Sequence, residues 1–356
     1  MKNFSKTLLI VVLVILLGLS GLLGWLTMTE YSPDPIEELD PLTNQAGAAL
    51  PLGATVDLLS WNIGYAGLGA EEDFLLDGGQ TVRPGEQAVV RRYLKGIEET
   101  VQAGNYDVVL LQEVDTDCDR TYSIDEAQRL ASGTSYFALN YSCPFVPNPQ
   151  TLLYDPIGKV NSGLLTNSRF LVQRAERISL PCPFSWPLRI ANLKRCLLVS
   201  YLPIEGREHE LVLVNLHLEA YDSGEGKIAQ TKQLRDFIDS EYQKGNYVIA
   251  GGDFNQLFPR SAERYPITKP ELWQPGMLEE NQLPEDPGWQ FVCDITKPTC
   301  RLLNQPYDPA DTVNTQYYVI DGFIISPNVI LELAETLDMG FVNSDHNPVH
   351  LRVTLR

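Results

Sequence analysis

The stretch Val-Ile-Ala-Gly-Gly-Asp-Phe-Asn, residues 248–255, is the clearest indication of the fold, because an apolar run leads directly into a polar turn. Its apolar run predicts a strand buried on both faces, and its two glycines allow the backbone to approach a ligand closely. Asp253 and Asn255 place one charged and one neutral polar group at the end of that strand. Taken alone, the segment is also compatible with a simple Asx turn.

Five further segments repeat this pattern of an apolar run that ends on a polar side chain. They are LLSWN (58–62), VVLLQE (108–113), LVLVNLH (211–217), YYVID (317–321) and FVNSDH (341–346). Between them, residues 85–103 and 229–242 carry apolar side chains at helical spacing. Strands and helices interleaved in this way predict an α/β protein with two sheets packed face to face and helices outside.

The composition is that of a globular chain with a strongly acidic balance. The 356 residues are 44% apolar and carry a formal charge of −19 at pH 7. This charge argues against a broad surface for nucleic-acid phosphates, which requires clustered lysine and arginine. A phosphorylated substrate remains compatible with it, because an acidic site can recruit a divalent cation that supplies the missing positive charge.

The N-terminus is predicted to be a membrane segment. Residues 7–28 contain no charged side chain and are long enough to cross a bilayer. Lysines precede this run and acidic residues follow it, which predicts a cytoplasmic tail and an extracytoplasmic domain. Cleavage as a signal sequence, giving a secreted protein, is the alternative. The predicted divisions are a tail (1–6), a transmembrane segment or signal anchor (7–28), a linker (29–53) and a catalytic domain (54–356).

Six cysteines in a chain with an export signal permit up to three disulfides. We favour pairing of neighbours in the sequence: Cys118 with Cys143, Cys182 with Cys196, and Cys293 with Cys300. Six reduced, buried thiols are the alternative.

Oxygen ligands at three of the segment ends predict a metal site. Burying the carboxylate of Glu113 at the end of an apolar run would be costly without a partner. Glu113, Asn62 and Asp345 together offer the hard oxygen donors that suit Mg²⁺ or Mn²⁺. A salt bridge from Glu113 to an arginine is the alternative, and the candidates are Arg91, Arg92 and Arg120.

The remaining segment ends predict acid-base and phosphoryl chemistry. Asp321 could orient His346 and stabilise its protonated form. Asp253 could bind or orient a nucleophilic water, and Asn255 could donate to a phosphoryl oxygen. His217 could donate a proton or stabilise transition-state charge.

These segments, in this order, resemble the endonuclease/exonuclease/phosphatase superfamily, which has the DNase I-like fold. The resemblance covers roughly residues 56–356 and implies a four-layered α/β sandwich that hydrolyses phosphate esters. It implies Glu113 as the principal metal ligand with Asn62 and Asp345 beside it, and catalytic roles for the other polar ends: His217, Asp253, Asn255, Asp321 and His346. Whether the histidine or the aspartate activates the attacking water is left open.

Two more residues are candidate substrate contacts. Asn215 belongs to the Asn-x-His segment, and Arg301 lies in the stretch that precedes the Asp321 strand. An arginine fixed in a loop is an equal alternative for Arg301.

The predicted function is a Mg²⁺-dependent hydrolase of phosphate esters, of phosphodiesterase or nuclease type, on the extracytoplasmic side of a membrane. A sphingomyelinase-like or small-molecule phosphodiesterase is the second hypothesis, and a catalytically silent binding module is a third. A nuclease should gather arginine and lysine at its groove, whereas a lipid enzyme should expose aromatic residues beside it, such as Trp186 or Trp289. The implied partners are the phosphoester (nucleic acid, lipid or small molecule) and the membrane, with no protein partner implied.

Overall fold

The computed structural model describes residues 2–45, 47–311 and 313–356, with side chains from Phe4 onward. Of the predicted divisions, Met1 of the tail, Ala46 of the linker and Thr312 of the domain lie outside the described residues.

The described residues form five α-helices, five short 3-10 helices and eighteen strands. The α-helices are α1 Lys2–Met28, α2 Gln87–Ala103, α3 Glu126–Leu130, α4 Glu225–Gln243 and α5 Ser261–Arg264. The 3-10 helices are Gly64–Ala66, Leu75–Asp77, Asp119–Thr121, Leu188–Ala191 and Glu280–Gln282. The strands are β1 Ile36–Glu38, β2 Thr43–Asn44, β3 Thr55–Asn62, β4 Val108–Asp115, β5 Thr134–Val146, β6 Gly158–Ser168, β7 Arg174–Ser179, β8 Cys196–Pro203, β9 Glu210–His217, β10 Tyr247–Asp253, β11 Gln256–Leu257, β12 Gly276–Met277, β13 Gln290–Val292, β14 Cys300–Arg301, β15 Tyr317–Tyr318, β16 Asp321–Ile325, β17 Val329–Thr336 and β18 Val349–Leu355.

Two seven-stranded mixed sheets repeat one arrangement. The first has the order β17-β18-β3-β4-β6-β5-β2 and the second the order β13-β16-β10-β9-β8-β7-β1. In each sheet the third and fourth strands of that order are parallel and every other pair is antiparallel. A parallel pair needs a crossover, which α2 supplies between β3 and β4 and α4 supplies between β9 and β10.

The layers follow from which face of each strand is apolar. Leu58 and Leu110 of the first sheet lie in one core cluster with Leu213 and Ile249 of the second. On the outer faces, α2 covers the first sheet and α4 covers the second. The chain is therefore a four-layered α/β sandwich in the order α2, first sheet, second sheet, α4, which confirms the predicted fold class.

Strand β9 shows why its sequence is almost continuously apolar. Leu211 and Leu213 point into the core between the sheets, while Val212 and Val214 point into the core beneath α4. Both faces of the strand are buried, so polar residues appear only at its first residue, Glu210, and toward its last residue, at Asn215 and His217. This is the pattern expected for a central parallel strand.

The predicted helices and most of the predicted strands are present, with shifted ends. The segment 341–346 is an exception, because its turn-forming Asn343 and Ser344 give turns and bends with only an isolated bridge between His346 and Cys300. The segment 317–321 is divided between β15 and the start of β16. The second predicted helix begins at Glu225, four residues before the first residue of the predicted range. Strands β5, β7 and β17 were not predicted, because they lie toward the sheet edges, where polar side chains interrupt the apolar pattern.

The segment 29–53 is not a free linker. Within it, Ile36–Glu38 adds an edge strand to the second sheet and Thr43–Asn44 adds one to the first. Leu50 is fully buried in the core between the sheets and bridges to Ile204. The segment is rich in proline and acidic residues, which concealed these short pairings from pattern analysis.

Helix α1 is long and apolar enough to cross a membrane, by length and composition alone. Residues 4–21 are exposed. Its last turns pack on the domain through Leu22, Leu23 and Leu26, which contact a cluster that includes Tyr141 and Ile190.

The predicted disulfides are absent: all six cysteines, each within the described residues, are free. Three of the thiols contact backbone oxygens instead, with Cys118 Sγ 3.0 Å from Asn161 O, Cys143 Sγ 3.4 Å from Phe145 O and Cys300 Sγ 3.4 Å from Arg301 O. Pairing neighbours in the sequence was the wrong criterion, because each predicted pair joins cysteines from different strands or loops.

Candidate active site

Polar side chains from both sheets meet at one end of the sandwich. Asn62 ends β3, His217 ends β9 and Asp253 ends β10, and both parallel pairs run toward this end. The register places Asp253 between His217 on β9 and Asp321 on the antiparallel β16. The structure therefore brings Asn62, His217, Asp253 and Asp321 together, with Asp321 at the start of its strand and the other three at strand ends.

Glu113 reaches the site through an irregularity in β4. The register of β4 against β6 shifts between Leu111 and Val114, and Glu113 has a positive φ of 55°. A bulge of this kind re-aims a side chain next to a site. The Glu113 carboxylate accepts a 3.0 Å hydrogen bond from Asn62 Nδ2 and lies 3.9 Å from His217 Nε2.

His346 and Asp321 form a buried pair. His346 Nδ1 lies 2.9 and 3.1 Å from the two carboxylate oxygens of Asp321. Burial acts against the protonated ring, but Asp321, with Cys300 and Asp345, outweighs it and holds the pKa of His346 well above its ordinary value. The other ring nitrogen, Nε2, faces Asp253 at 3.9 Å and Asp345 at 3.8 Å.

Asp253 lies at the centre of the site. Its carboxylate accepts hydrogen bonds from Asn62 Nδ2 at 3.0 Å and from the Asn255 backbone N–H at 2.8 Å. Burial raises the pKa of Asp253 to about 7, with Asp321 adding to the rise and His346 opposing it. Such a carboxyl group exchanges a proton near neutral pH, which suits acid-base work.

His217 is held as a neutral ring. Arg195 donates to its backbone carbonyl at 3.0 Å, and its Nε2 lies 3.5 Å from Asp253 Oδ2. Burial lowers the pKa of His217 well below its ordinary value, helped by the charges of Arg195 and His346. Its Nδ1 is buried without a hydrogen-bond partner among the described residues.

The donor set fits a hard divalent cation between Glu113 and Asp345. Burial raises the pKa of Asp345 to about 6, and the nearby Glu113 adds to the rise while His346 opposes it. Gly64, at φ +51°, leaves this space open, because a Cβ there would lie 2.9 Å from Asp345 Oδ1. The buried Asp345 and the partly exposed Glu113 both offer carboxylate oxygens, the ligands that such a cation prefers. Asn62 fits less directly, since its Oδ1 already accepts from Gly64 N at 3.0 Å.

A second group of potential ligands overlaps the acid-base residues. Ligand atoms of Asp253, Asp321 and His346 lie within 4.8 Å of one another, as do those of Cys300, Asp345 and His346. Both groups need a neutral His346 to hold an ion, and Asp321 stabilises the protonated ring instead. The oxygen-only pair Glu113 and Asp345 is therefore the better candidate for Mg²⁺ or Mn²⁺.

The two predicted substrate contacts, Asn215 and Arg301, are both hydrogen-bonded within the protein. Asn215 is fully buried between the sheets, where it accepts from Gln112 at 2.8 Å and donates to the Leu111 and Leu165 carbonyls. It ties the two sheets together and lies away from the pocket lining. Arg301 does line the pocket, but its guanidinium is bonded to the Gly69, Glu72 and Gln305 carbonyls.

Two of the three arginines considered as salt-bridge partners of Glu113, Arg92 and Arg120, form ion pairs with other acidic residues. Arg120 forms a two-point ion pair with Asp115 at 2.9 and 2.8 Å, and its guanidinium stacks 3.6 Å from the Tyr65 ring centroid. Arg92 bonds Glu71 at 2.7 Å. The observed partners of Glu113 are Asn62 and His217.

The site lies at the polar end of one pocket of about 460 Å³, which is lined there by Glu113, His217, Asp253, Asp345 and His346. Most of the exposed lining is apolar, and it includes Tyr221 and Trp273, which sequence analysis missed. Asp77 also lines it and accepts a 3.0 Å hydrogen bond from Tyr221. Burial raises the pKa of Asp77 to about 7, against the lowering effect of that hydrogen bond. These three residues lie in loops or a short turn, where no periodic signal marks them.

The fold is a four-layered α/β sandwich with a polar site at one end, and comparison with known proteins gives its family. The model of the Endonuclease/Exonuclease/phosphatase family matches residues 59–346, well over half of the chain. The chain belongs to this family.

Solved structures support the same fold. An endonuclease/exonuclease/phosphatase from Beutenbergia cavernae is 17% identical with a TM-score of 0.56, over 85% of this chain and 72% of that one. An endonuclease/exonuclease/phosphatase from Bacteroides vulgatus is 13% identical with a TM-score of 0.50, over 85% of this chain and 100% of that one. No curated protein sequence shows significant similarity to the chain.

Proposed function

We propose that the protein is a metal-dependent phosphoric ester hydrolase. The observation that carries this proposal is the meeting of Glu113, His217, Asp253, Asp345 and the Asp321–His346 pair at one end of a single pocket. Family membership supports the same class of activity.

In this proposal Glu113 and Asp345 hold a divalent cation, Mg²⁺ or Mn²⁺, with Asn62 beside them. When bound, the cation offsets the charge of the phosphoryl oxygens. The oxygen of water forms a bond to phosphorus, one P–O ester bond breaks, and the proton lost by water is balanced by one gained by the leaving alcohol.

The chain's own residues divide the remaining work. Asp253, which lies 3.9 Å from His346 Nε2, accepts the proton of the attacking water. The charged His346 ring, which Asp321 stabilises, donates a proton to the leaving alkoxide and regains one from Asp253. His217, as a neutral ring, and the second N–H of the Asn255 amide donate hydrogen bonds to phosphoryl oxygens.

The charge of the pocket favours a small or lipid phosphoester over a nucleic acid. The described lining residues include no lysine, and their arginines are Arg120, Arg195 and Arg301, each of which is already bonded within the protein. The described pocket lining therefore lacks the several unpaired cations that a phosphate backbone needs. The second substrate class weighed from the sequence is therefore the better supported.

We further propose that α1 anchors the domain to a membrane, with the catalytic domain on the extracytoplasmic side. The contacts of Leu22, Leu23 and Leu26 with the domain support an uncleaved helix.

The test compares His346→Ala with His209→Ala in the full-length protein. His209 is exposed next to the start of β9, at the opposite end from the site, so it is a matched control. His346→Ala should remove Mg²⁺-dependent hydrolysis of bis-p-nitrophenyl phosphate while circular dichroism stays native, and His209→Ala should keep it. Full activity in folded His346→Ala would refute its catalytic role.

A further inference from the structure

The position of α1 fixes which part of the domain faces the bilayer. Residues 4–21 are exposed, and 18 helical residues span about 27 Å, close to the hydrocarbon thickness of roughly 30 Å. The next turn, from Leu22 to Leu26, already rests on the domain. Whatever contacts the end of α1 therefore lies at the membrane surface.

The loop around Trp186 is bonded to that end of the helix. Trp186 Nε1 donates to Thr27 Oγ1 at 3.1 Å, and Arg189 and Lys194 pair with Glu30 at 3.0 and 3.3 Å. Tryptophan is enriched at the membrane interface, where its ring is apolar and its N–H is polar. This loop is consequently held level with the membrane surface.

A second loop exposes apolar side chains beside the first. Leu152, Leu153 and Tyr154 are consecutive and exposed, at 60%, 63% and 79%. Val146 and Ile157, which flank this loop, share a cluster with Leu26 and Ile190. We call Leu152, Leu153, Tyr154, Trp186 and Leu188 the apolar rim. Several exposed apolar side chains on neighbouring loops indicate contact with a membrane or another apolar partner.

The apolar rim leads into the pocket. Pro147, Pro149, Leu188 and Leu193, from the same two loops, line the pocket whose other end holds Asp253 and His346. A molecule entering past the rim thus meets apolar walls first and the polar site last. This order suits an amphiphile whose phosphoester lies at the boundary between its polar and apolar parts.

We propose that the apolar rim docks on the bilayer in which α1 is embedded, and that the pocket takes a lipid phosphoester from that bilayer. This inference rests on the proposed phosphoesterase activity. The continuity of the rim with the end of α1 favours a lipid surface over a protein partner, because the helix already brings the rim to the lipid.

The experiment uses two phosphodiesters that differ only in one alkyl chain. Full-length protein is reconstituted in phosphatidylcholine vesicles with Mg²⁺ and given either soluble methyl p-nitrophenyl phosphate or hexadecyl p-nitrophenyl phosphate incorporated in the same vesicles. We expect kcat/KM for the hexadecyl ester to be higher by about tenfold or more, since the long chain partitions to the rim. The double variant Leu152→Glu/Leu153→Glu should lose this advantage and keep the methyl-ester rate.

Leu331→Glu is the matched control. Leu331 is also an exposed leucine, but it pairs with Val353 and so lies at the end of the first sheet away from Asn62. Its variant should hydrolyse both esters at wild-type rates. A second readout is independent of activity: Leu153→Trp should add fluorescence that lipids brominated on their acyl chains quench, and Leu331→Trp should add fluorescence that they do not.

The outcomes separate this inference from the proposed function. Hydrolysis of the methyl ester without preference for the hexadecyl ester, or faster hydrolysis of plasmid DNA than of either, would overturn the lipid inference and leave the phosphoesterase standing. Absence of quenching at Leu153→Trp would show that the rim does not touch the bilayer. Failure of the wild-type protein to hydrolyse any ester with Mg²⁺ would overturn both.

Discussion

At the scale of single residues, the site depends on acidic groups that lie at one end of the pocket, most of them buried. Four acidic residues converge there: Glu113, Asp253, Asp321 and Asp345. Among them lies His346, whose raised pKa gives the site one positive charge. Like charges repel one another, and burial away from water strengthens that repulsion, so these groups gain from a bound cation or from protonation. The need for a cation is tested below at Glu113, and the effect of protonation is tested at Asp77, a buried carboxyl group elsewhere in the same pocket.

Replacing Glu113 by glutamine should weaken Mg²⁺ binding. The amide keeps one oxygen but loses the charge that holds the ion. The loss of affinity should exceed the roughly 10- to 100-fold typical when a supporting residue of a metal site is removed. Isothermal titration of the full-length protein with Mg²⁺ measures it, with Glu332→Gln on the distant, exposed part of β17 as control. Equal affinity in both variants would show that Glu113 is not a ligand.

Asp77 should make the folded protein less stable as pH rises. Its pKa is about 7 in the folded state against an ordinary value of 3.8, so the folded state binds the extra proton between these values. Its contribution to the free energy of unfolding is most favourable below about pH 4 and is lost as pH rises through 7. Each unit of difference between the two pKa values corresponds to roughly 1.4 kcal/mol.

Asp77→Asn tests that slope. The amide oxygen can still accept from Tyr221 and cannot ionise, so the variant should lose less stability between pH 5 and pH 8 than the wild type. Urea unfolding at the two pH values, with EDTA present, gives the comparison. Exposed Asp40→Asn should behave like the wild type, and parallel slopes for all three proteins would contradict the assignment.

At the scale of elements, the segment 29–53 behaves as part of the domain. Leu50 is fully buried between the sheets, whereas Leu52, two residues later, is 43% exposed. Leu50→Ala should lower the free energy of unfolding by about 2–5 kcal/mol because it leaves a cavity in the core. Leu52→Ala should change it by less than about 0.5 kcal/mol. Thermal unfolding separates them, and equally small effects would mean that the segment is a linker after all.

The cysteines give a further prediction at this scale. Because Cys118, Cys143 and the other four are free thiols, reducing agent should leave the melting temperature unchanged. Thiol titration of the unfolded, unreduced protein should find all six. A lower melting temperature in dithiothreitol would show that disulfides form.

At the scale of the whole molecule, much of the fold could be predicted from the strand ends. Buried central strands such as β9 and β10 are apolar on both faces, so their polar termini stand out in the sequence and mark the site. Edge strands such as β1 are half exposed and give no such signal. The sequence also could not show on which side of its strand Asn215 lies, and hence that it bonds Gln112 across the sheets.

The pocket lining was harder to predict for the same physical reason. Asp77, Tyr221 and Trp273 come from separate loops and meet only when the sandwich is assembled. The relation between α1 and the apolar rim is likewise long-range, since Trp186 and Thr27 are 159 residues apart.

The most direct test of the central claim is hydrolysis of bis-p-nitrophenyl phosphate by the purified full-length protein, first with EDTA and then with excess Mg²⁺. We predict no turnover in EDTA and turnover that Mg²⁺ restores, because the carboxylates of Glu113 and Asp345 need the cation to receive a phosphate ester. Turnover that persists in EDTA, or none with Mg²⁺ or Mn²⁺, would contradict it.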